Sequence, residues 1–283
     1  MKILVIGPGR IGSTFAFHLS LVGHDVTVLA RGGRLEALRR EGAIVAVDGR
    51  RAQVRVVLEI DVSVPYDLVL VTVLAHQVDP LLPSLAASTA KTILLMFNTF
   101  ERTERWRDAL GRHRFAFGFP NMTAFFEEEK LRSVVDGPGM VTTLTSPKWA
   151  DVLKQAGMPT EVESDIDSFL RSHVAFVVPL MVAGQLIWKR DAELSWAEAR
   201  RLTEALREGF DLVRALGHAI KPGYVALLAR MPSILQLGLV WTFSRTAGVK
   251  NLGGFGPDEV RALIDAMTAA GPGQTAKLLS IRP

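Results

Sequence analysis

The sequence predicts an α/β fold in which a doubly wound parallel sheet is followed by an all-helical domain. Over the first 150 or so residues, the apolar runs KILVIG, DVTVLA, DLVLVTV and KTILLMF alternate with helical stretches. Continuous apolar strands are typical of parallel sheets that are covered on both faces, and this alternation favours right-handed crossovers. Beyond Ser164 the strand patterns disappear and only helical patterns remain. We therefore predict two domains, residues 1–163 and residues 164–283.

The helical stretches of the first domain are predicted at Ile11–Gly23, Gly33–Glu41 and His76–Ala87, where apolar residues follow the helical period. After Phe97 the apolar runs become shorter and more polar. We expect three of them, RFAFGFP, LRSVVDG and GMVTTLT, to add edges to the sheet.

The second domain begins with a long apolar run and continues with a capped helix. The run Val174–Trp188 is shorter than the roughly 18–20 residues that a membrane span needs, so it predicts a buried core helix. Ser195 and Glu198 form a capping-box pattern at the start of the next helix, which Gly217 ends. Further helices are predicted near the ranges Pro222–Met231, Ser233–Thr246 and Pro257–Ala269.

Composition excludes several classes of function. The 283 residues carry a net charge of only +4, and the basic residues are spread along the chain, which argues against nucleic acid as a partner. Cysteine is absent, so disulfides, thiolate metal sites and cysteine nucleophiles are excluded. We predict no metal site and no membrane partner. The opening MKILVIG lacks the features of a secretory signal, and we expect a cytoplasmic protein.

A glycine-rich motif follows the first predicted strand and opens the first predicted helix. It reads Gly7-Pro8-Gly9-Arg10-Ile11-Gly12, which is G-x-G-x-x-G. In this context the glycines allow a tight turn and a close approach to a pyrophosphate, whose charge meets the helix N-terminus. The motif predicts a dinucleotide site.

The end of the second strand predicts which dinucleotide is bound. An NAD-selective site usually has an acidic residue here, whereas this sequence has Arg31, with Arg34 as a possible second contact. An arginine offers a planar fork to a 2′-phosphate, so we expect NADP as the cofactor.

The segments GPGRIG, VLARGGRLEALRREGAIV and VTVLAHQV, followed by Phe97-Asn98, resemble the ketopantoate reductase family in order and spacing. The resemblance covers most of the first domain and is looser beyond it. It implies a Rossmann-type domain plus a helical domain with the active site in the cleft between them. It also implies transfer of a hydride from NADPH to 2-dehydropantoate in pantothenate biosynthesis.

Only some positions of the family pattern have the same residue in this chain. The residues Gly7, Gly9, Gly12 and Arg31 match its cofactor positions. Leu74 stands where the family has a lysine. Asn98 matches the family's asparagine near the nicotinamide, but Thr99 replaces the glycine that follows it.

The family's catalytic lysine and two asparagines, spaced i, i+4 and i+8 on one helix, have no counterparts. Alignment on Asp165-Ile166 places His173, Val177 and Met181 at these positions, and it needs no gap. Alignment on Pro179 instead places Leu170, Val174 and Val178 there.

We prefer the first alignment because it supplies one titratable group. A protonated His173 would act as the proton donor to a carbonyl oxygen, given an ordinary pKa of about 6.5. The alternative interpretation of His173 is a capped or solvated histidine near the helix start. Ser233 matches the family's serine-containing substrate stretch, whereas Asn121 is better explained as a turn residue.

Three functions remain open. The first is an NADPH-dependent oxidoreductase of ketopantoate-reductase type, expected as a homodimer, that reduces a less charged carbonyl or imine substrate. The second is an inactive NADP-binding sensor or structural protein. The third is a true ketopantoate reductase, in which other residues such as Arg171, Lys189 or Arg245 bind the substrate carboxylate.

Overall fold

A computed structural model of the chain describes residues 1–137, 139–246, 248–249 and 256–283. The chain divides into two compact units. The first comprises Met1–Phe97 and Thr103–Ile166, and the second comprises Asn98–Arg102 and Asp167–Pro283. The main division therefore falls three residues beyond the boundary that we placed from the sequence, and a five-residue segment inside the first unit belongs to the second.

Within the described residues, the strands all lie in the first unit. They are β1 (Lys2–Ile6), β2 (Asp25–Leu29), β3 (Ala43–Val45), β4 (Arg51–Gln53), β5 (Arg55–Val57), β6 (Leu68–Val71), β7 (Ile93–Met96), β8 (Phe115–Phe119), β9 (Thr123–Glu127), β10 (Lys130–Val134), β11 (Thr142–Leu144) and β12 (Thr160–Val162). Eight of them form one sheet in the order β12-β11-β8-β7-β6-β1-β2-β5. Neighbouring strands from β5 to β8 in this sheet are parallel, and β11 pairs antiparallel with β8.

The six parallel strands have the doubly wound Rossmann arrangement, in which the strand order reverses between β1 and β6. The central strands β1, β6 and β7 are almost entirely buried, which explains their unbroken runs of branched and unbranched aliphatic residues. The α/β class predicted from the sequence is confirmed.

Two of the three strands expected to extend the sheet, β8 and β11, do so. The prediction for LRSVVDG was wrong, because β10 pairs with β9 in a separate two-stranded sheet. Glu128 and Glu129 connect them with φ of 46° and 68°, the two positive angles of a tight hairpin turn. A second small sheet pairs β3 with β4.

The helices of the first unit flank the sheet. They are α1 (Arg10–Leu21), α2 (Gly32–Glu41), α3 (Leu82–Ala87), α4 (Glu104–Leu110) and α5 (Pro147–Gln155). The predicted helix His76–Ala87 is reduced to α3, and two 3-10 turns, Ala75–Gln77 and Asp79–Leu81, precede it. Two prolines, Pro80 and Pro83, lie in this stretch and lack the N–H groups that a continuous α-helix requires.

The second unit is helical. Its helices are α6 (Ile166–Arg190), α7 (Trp196–Ala215), α8 (Gly223–Arg230), α9 (Ser233–Phe243), α10 (Pro257–Ala270) and α11 (Ala276–Ser280). The predicted capping box of α7 is present: Glu198 N–H donates to Ser195 Oγ at 3.3 Å, and Ser195 N–H donates to Glu198 Oε2 at 2.9 Å.

Helix α6 forms the centre of the second core. Its residues pack with α7 and α10 in one apolar cluster, and the cluster includes Phe100 from the segment Asn98–Arg102. Gly209 allows α7 to approach closely, because a Cβ there would lie 3.1 Å from the Ala175 side chain. Among the described residues, α6 alone has the length and apolar composition of a membrane span, and 78% of its most apolar window is buried within the protein.

Candidate functional site

The glycine-rich loop lies at the carboxyl end of β1, where the strand order of the sheet reverses. Gly7 has φ of 83°, and a Cβ there would lie 2.6 Å from Val73 Cγ1. A Cβ on Gly12 would lie 2.3 Å from the carbonyl oxygen of Gly7. Only glycine therefore fits at these two positions, as the motif predicted.

Thr72 ties this loop to the end of the neighbouring strand β6. Its Oγ1 lies 3.0 Å from the Ile6 carbonyl oxygen and 2.9 Å from that of Gly7, so the hydroxyl donates within this pair of acceptors. Its Oγ1 is also the atom that a Cβ on Gly12 would meet at 2.4 Å. The first helix, the loop and β6 thus pack at the closest approach that their backbones allow.

The N-terminus of α1 is open to a ligand. Gly9 caps the helix without a side-chain hydrogen bond, and a Cβ on Gly9 would contact nothing nearer than the Gly7 carbonyl oxygen at 4.0 Å. The first-turn N–H groups of a helix lack intrahelical acceptors and carry partial positive charge. This arrangement suits an anionic group such as a pyrophosphate.

Arg31 follows β2 and caps α2 with extended backbone, φ −136° and ψ 163°. Its side chain is exposed and makes no hydrogen bond, ion pair or ring contact within the described part of the chain. The guanidinium is therefore available at the strand end where the sequence predicted a phosphate contact.

Arg34 lies one turn further along α2 and points to the loop. Its Nε donates to the Pro8 carbonyl oxygen at 3.1 Å, and its Nη2 donates to Ser13 Oγ at 3.0 Å. Burial lowers the pKa of Arg34, and the nearby Glu129 acts in the opposite direction. The residue expected as a second phosphate contact is thus engaged by the loop itself.

Asn98, which follows β7 by two residues, belongs to the second unit. Its Nδ2 donates to Glu259 Oε1 at 3.1 Å, while its Oδ1 is buried and has no partner among the described residues. Thr99 is buried beside it and accepts a hydrogen bond from the Glu101 N–H at 3.1 Å.

Glu259 was missed by the sequence analysis. The resemblance also implies a substrate-binding glutamate, for which the sequence offers no secure match in Leu237–Gly256; residues 247 and 250–255 of that range lie outside the described residues. Glu259 lies three positions beyond that range, in the first turn of α10. The available signal was an acidic residue in the first turn of a predicted helix, which is so common that it singles out no functional residue.

His173 lies on α6, where it stacks on Phe169 with ring centroids 6.3 Å apart. Burial lowers the pKa of His173 to about 4, so the imidazole is neutral at neutral pH. The predicted role as a protonated imidazolium therefore requires a pH well below neutrality.

The two alignments of α6 differ in exposure. Leu170, Val174 and Val178 are at most 1% exposed and lie in the core, which leaves them no access to a ligand. In the other alignment, His173 and Val177 are partly exposed, whereas Met181 is fully buried. The two alignments thus differ in exposure at the first two positions and agree in burial at the third, and the alignment that starts at His173 stays a prediction.

Three basic residues were considered for a substrate carboxylate. Arg171 is 6% exposed, and it donates to the Phe100 carbonyl oxygen at 3.1 Å and to His218 Nε2 at 2.6 Å. Arg245 is paired with Glu193 at 3.0 Å and covers the Trp241 ring. Lys189 is exposed near the end of α6.

The remaining candidates are Ser233 and Asn121. Ser233 is the exposed first residue of α9. Asn121 belongs to the first unit, and its Nδ2 donates to the Gly139 carbonyl oxygen at 2.7 Å, as expected of a turn asparagine. Within the described residues, no group of three or more histidine or acidic side chains is arranged to hold a metal ion.

The fold and the glycine-rich loop together define an α/β protein of Rossmann type with a helical second unit. A family model described as ketopantoate reductase PanE/ApbA matches residues 3–144, which is half of the chain. The protein therefore belongs to the ketopantoate reductase family.

Curated relatives match over a limited length. The chain is 34% identical to a 2-dehydropantoate 2-reductase of Mesorhizobium japonicum over 89 residues, which is 30% of this chain and 27% of the relative. It is 32% identical to the enzyme of that name from Vibrio cholerae over 114 residues, or 39% of this chain and 36% of the relative. These matches span about a third of each relative.

Solved structures share the fold over almost the whole chain. A PanE/ApbA family ketopantoate reductase from Ralstonia eutropha superposes with a TM-score of 0.74 at 18% identity, covering 100% of this chain and 97% of that one. A dimeric ketopantoate reductase from Staphylococcus aureus gives 0.69 at 14% identity, covering 100% and 96%. D-mandelate dehydrogenase with NADH and anilino(oxo)acetate gives 0.72 at 14% identity, covering 100% and 98%.

Proposed function

We propose that the protein is an NADPH-dependent reductase of ketopantoate-reductase type that transfers a hydride to a carbonyl or imine substrate. One observation carries this proposal: the family's glycine-rich loop stands at the strand-order reversal, with its helix N-terminus open and a free arginine at the end of β2. Dinucleotides bind at this point of a doubly wound sheet.

The residues present fit a nicotinamide dinucleotide. Gly9 leaves room for close approach of a pyrophosphate, and the N–H groups at the start of α1 would donate to it. The Pro8, Arg10 and Ile11 backbone completes this turn. In the second unit, the Oδ1 of Asn98 is buried and has no partner among the described residues, so it would accept a hydrogen bond from a bound ligand.

We propose NADP rather than NAD as the cofactor. The support is Arg31, because an acidic residue at this position would repel a 2′-phosphate and a guanidinium attracts it. The fold itself does not select between them, since a structural neighbour is described with NADH.

The reduced nicotinamide supplies the hydride when it is bound. The protein must then stabilise charge on the carbonyl oxygen, and the reduced group must take up a proton. His173 and Asn98 are the proposed catalytic residues, and the neighbouring Glu259 would orient the Asn98 carboxamide through its hydrogen bond. Because burial lowers its pKa to about 4, His173 would donate a hydrogen bond to the developing negative charge as a neutral imidazole, and the proton taken up by the reduced group would come from water.

We propose a substrate that is less charged than a typical keto acid. In the preferred alignment, Val177 and Met181 replace two polar positions of the family, and neither side chain binds a carboxylate. A role in pantothenate biosynthesis would require Ser233 and a basic residue such as Arg171 or Lys189 to bind the carboxylate of 2-dehydropantoate.

We also propose a cytoplasmic homodimer. The absence of cysteine fits a reducing compartment. Support for self-association comes from α8 and α9, where Tyr224, Leu227 and Ile234 are each more than 60% exposed. Contiguous exposed apolar side chains mark interaction surfaces, and a two-fold dimer would bury such side chains of α8 and α9 against their copies.

The test is NADPH oxidation by the purified protein with a panel of ketones, 2-keto acids (including 2-dehydropantoate) and imines. Turnover with an apolar ketone or imine above that with 2-dehydropantoate is the expected result. Tight NADPH binding without turnover of any compound would instead support a non-catalytic NADP-binding protein. Sedimentation velocity measures the oligomeric state of the same sample.

A further inference from the structure

Arg34 makes hydrogen bonds to the glycine-rich loop and to the helix that follows it. Its guanidinium donates to the Pro8 carbonyl oxygen at 3.1 Å and to Ser13 Oγ at 3.0 Å, and Ser13 Oγ in turn donates to the same Pro8 oxygen at 2.8 Å. Ser13 is fully buried in the first turns of α1. Three hydrogen bonds therefore join α2, α1 and the loop, and two of them are accepted by the Pro8 carbonyl oxygen.

The β9–β10 hairpin supports this arginine from the opposite side. The Arg34 Cζ atom lies 4.4 Å from the centroid of the Phe126 ring, a cation–π contact. Phe126 itself packs against the core of the first unit. The side chain is thus confined between the aromatic ring and the loop, and it is only partly exposed.

We infer that Arg34 is a positioning residue that keeps the dinucleotide loop in its binding conformation, and that it does not bind the 2′-phosphate. This inference rests on the proposed function. The Pro8 carbonyl and the Gly9 N–H belong to one planar peptide unit, so fixing the carbonyl also fixes the N–H, which donates to the Gly7 oxygen at 2.7 Å. A loop that is already held in its binding conformation loses little conformational entropy when a ligand binds.

Arg31 and Arg34 then have separate tasks. The Arg31 side chain makes no hydrogen bond, ion pair or ring contact within the described residues and is free to meet a 2′-phosphate, whereas Arg34 donates from its Nε and Nη2 to the loop and to Ser13. Loss of Arg31 therefore acts on NADPH alone. Loss of Arg34 acts on every dinucleotide, because the pyrophosphate-binding turn is common to all of them.

The experiment measures dissociation constants of NADPH and NADH by calorimetry for the parent protein, for four single variants and for one double variant. Arg34→Met keeps an apolar stem against Phe126 but removes the donors, and Arg34→Lys keeps the charge but not the fork. Ser13→Ala removes the second acceptor. Arg39→Ala, an exposed arginine on the same helix without described contacts, is the matched control.

We expect Arg34→Met to weaken NADPH and NADH alike by about tenfold, the effect of losing hydrogen bonds from a charged donor. Arg34→Lys should weaken the two affinities less, and Arg39→Ala should leave both affinities unchanged. In the double variant Arg34→Met/Ser13→Ala, the fold-increase in dissociation constant should be smaller than the product of the fold-increases of the two single variants, because both residues belong to one hydrogen-bond network.

Thermal unfolding of each variant separates a folding defect from a binding defect. If Arg34→Met weakens the affinity for NADPH alone, then Arg34 binds the 2′-phosphate. If the affinities for both dinucleotides are unchanged, then the loop does not depend on the Arg34 hydrogen bonds. Either result overturns this inference and leaves the proposed function standing. Absence of dinucleotide binding in the parent protein would overturn both.

Discussion

Asn98 Nδ2 donates a hydrogen bond to Glu259 Oε1 at 3.1 Å, although 161 positions separate the two residues in the chain. The contact fixes the orientation of the carboxamide and directs its Oδ1 into a buried position without a partner among the described residues. A buried acceptor that lacks a donor is costly unless a ligand supplies one. This pair is therefore the feature of the second unit that points most directly to a bound molecule.

Asn98→Ala should lower kcat/KM for NADPH-dependent reduction by about 10- to 100-fold, because the carboxamide acceptor is lost. Glu259→Ala should have a similar but smaller effect, whereas Glu259→Gln should retain most activity, since its amide oxygen still accepts from Asn98. Steady-state kinetics measure these changes. Asn121→Ala, which removes an asparagine that is bonded to Gly139, is the control and should be unaffected.

Two glycines of the loop should respond differently to the same substitution. Gly9→Ala should fold normally yet lose dinucleotide affinity by at least about tenfold, because the added methyl occupies open space where a pyrophosphate would approach. Gly12→Ala should lower stability by about 1–3 kcal/mol, because its Cβ meets the Gly7 oxygen at 2.3 Å. Thermal unfolding and calorimetric titration together distinguish the two outcomes, and equal stability losses would contradict the geometry described.

Arg31→Ala should weaken NADPH by about 10- to 100-fold and leave NADH unchanged, since only the 2′-phosphate loses a charged partner. The ratio of the two dissociation constants is the quantity to measure. An equal loss for both dinucleotides would assign Arg31 to the pyrophosphate or to the fold instead.

Burial of His173 makes stability depend on pH. Its pKa of about 4 in the folded protein lies below the value of about 6.5 in the unfolded chain. Above both values the residue is neutral in both states. As the pH falls from about 6.5 towards 4, only the unfolded chain takes up a proton, so up to roughly 3 kcal/mol of stability is lost.

Replacing His173 by phenylalanine should remove this part of the pH dependence. Urea unfolding at pH 7 and at pH 4.5 measures it, as the difference in unfolding free energy between the variant and the parent protein. His76→Gln, at an exposed site of the first unit, is the matched control. If the parent protein and the phenylalanine variant lose the same stability, then burial does not suppress ionisation of His173.

Glu198 should contribute to stability in a different pH range. The hydrogen bond from Arg190 and those from Ser195 hold the pKa of Glu198 at about 2. Its stabilising effect is fully present above about pH 4.3 and is lost as the pH falls towards 2. Glu198→Gln should cost about 1–2 kcal/mol at pH 7, less than the pKa alone implies because the side chain is partly solvated.

Denaturant unfolding checks this cost, with Glu36→Gln on an exposed face of α2 as the control. The difference in unfolding free energy between the Glu198→Gln variant and the parent protein should be smaller at pH 3 than at pH 7. A gap that is independent of pH would mean that the effect is not due to the charge.

The parallel, doubly wound class of the sheet, the glycine-rich loop and the α7 capping box could all be predicted from the sequence. The class follows from the alternation of strand and helix patterns, and the other two depend on residues close together in the chain, such as Gly7 to Gly12 or Ser195 and Glu198, whose local geometry limits which residues fit. The apolar period also identified α6 as a core helix. Its full extent, Ile166–Arg190, exceeds the apolar run because the polar residues at its ends continue the helix.

The features that escaped prediction depend on distant contacts. The pairing of Asn98 with Glu259 and the use of Arg34 by the loop both require the folded chain to bring separate elements together. The lowered pKa of His173 could not be read from its neighbours in sequence, because it arises from burial in the folded protein. β10 pairs with β9 through a two-residue turn formed by Glu128 and Glu129. This hairpin was not predicted because the turn lacks the glycine or asparagine that usually marks one in a sequence.

The segment Asn98–Arg102 has a practical consequence for dissecting the protein. Phe100 is 1% exposed within the core of the helical unit, yet in the chain it lies between two stretches of the first unit. A fragment that starts at residue 164 would lack this ring and the carbonyl that accepts from Arg171. Expression of the helical part alone should therefore give an aggregation-prone product, and a peptide spanning residues 98–102 would have to be grafted back before that part could be studied by itself.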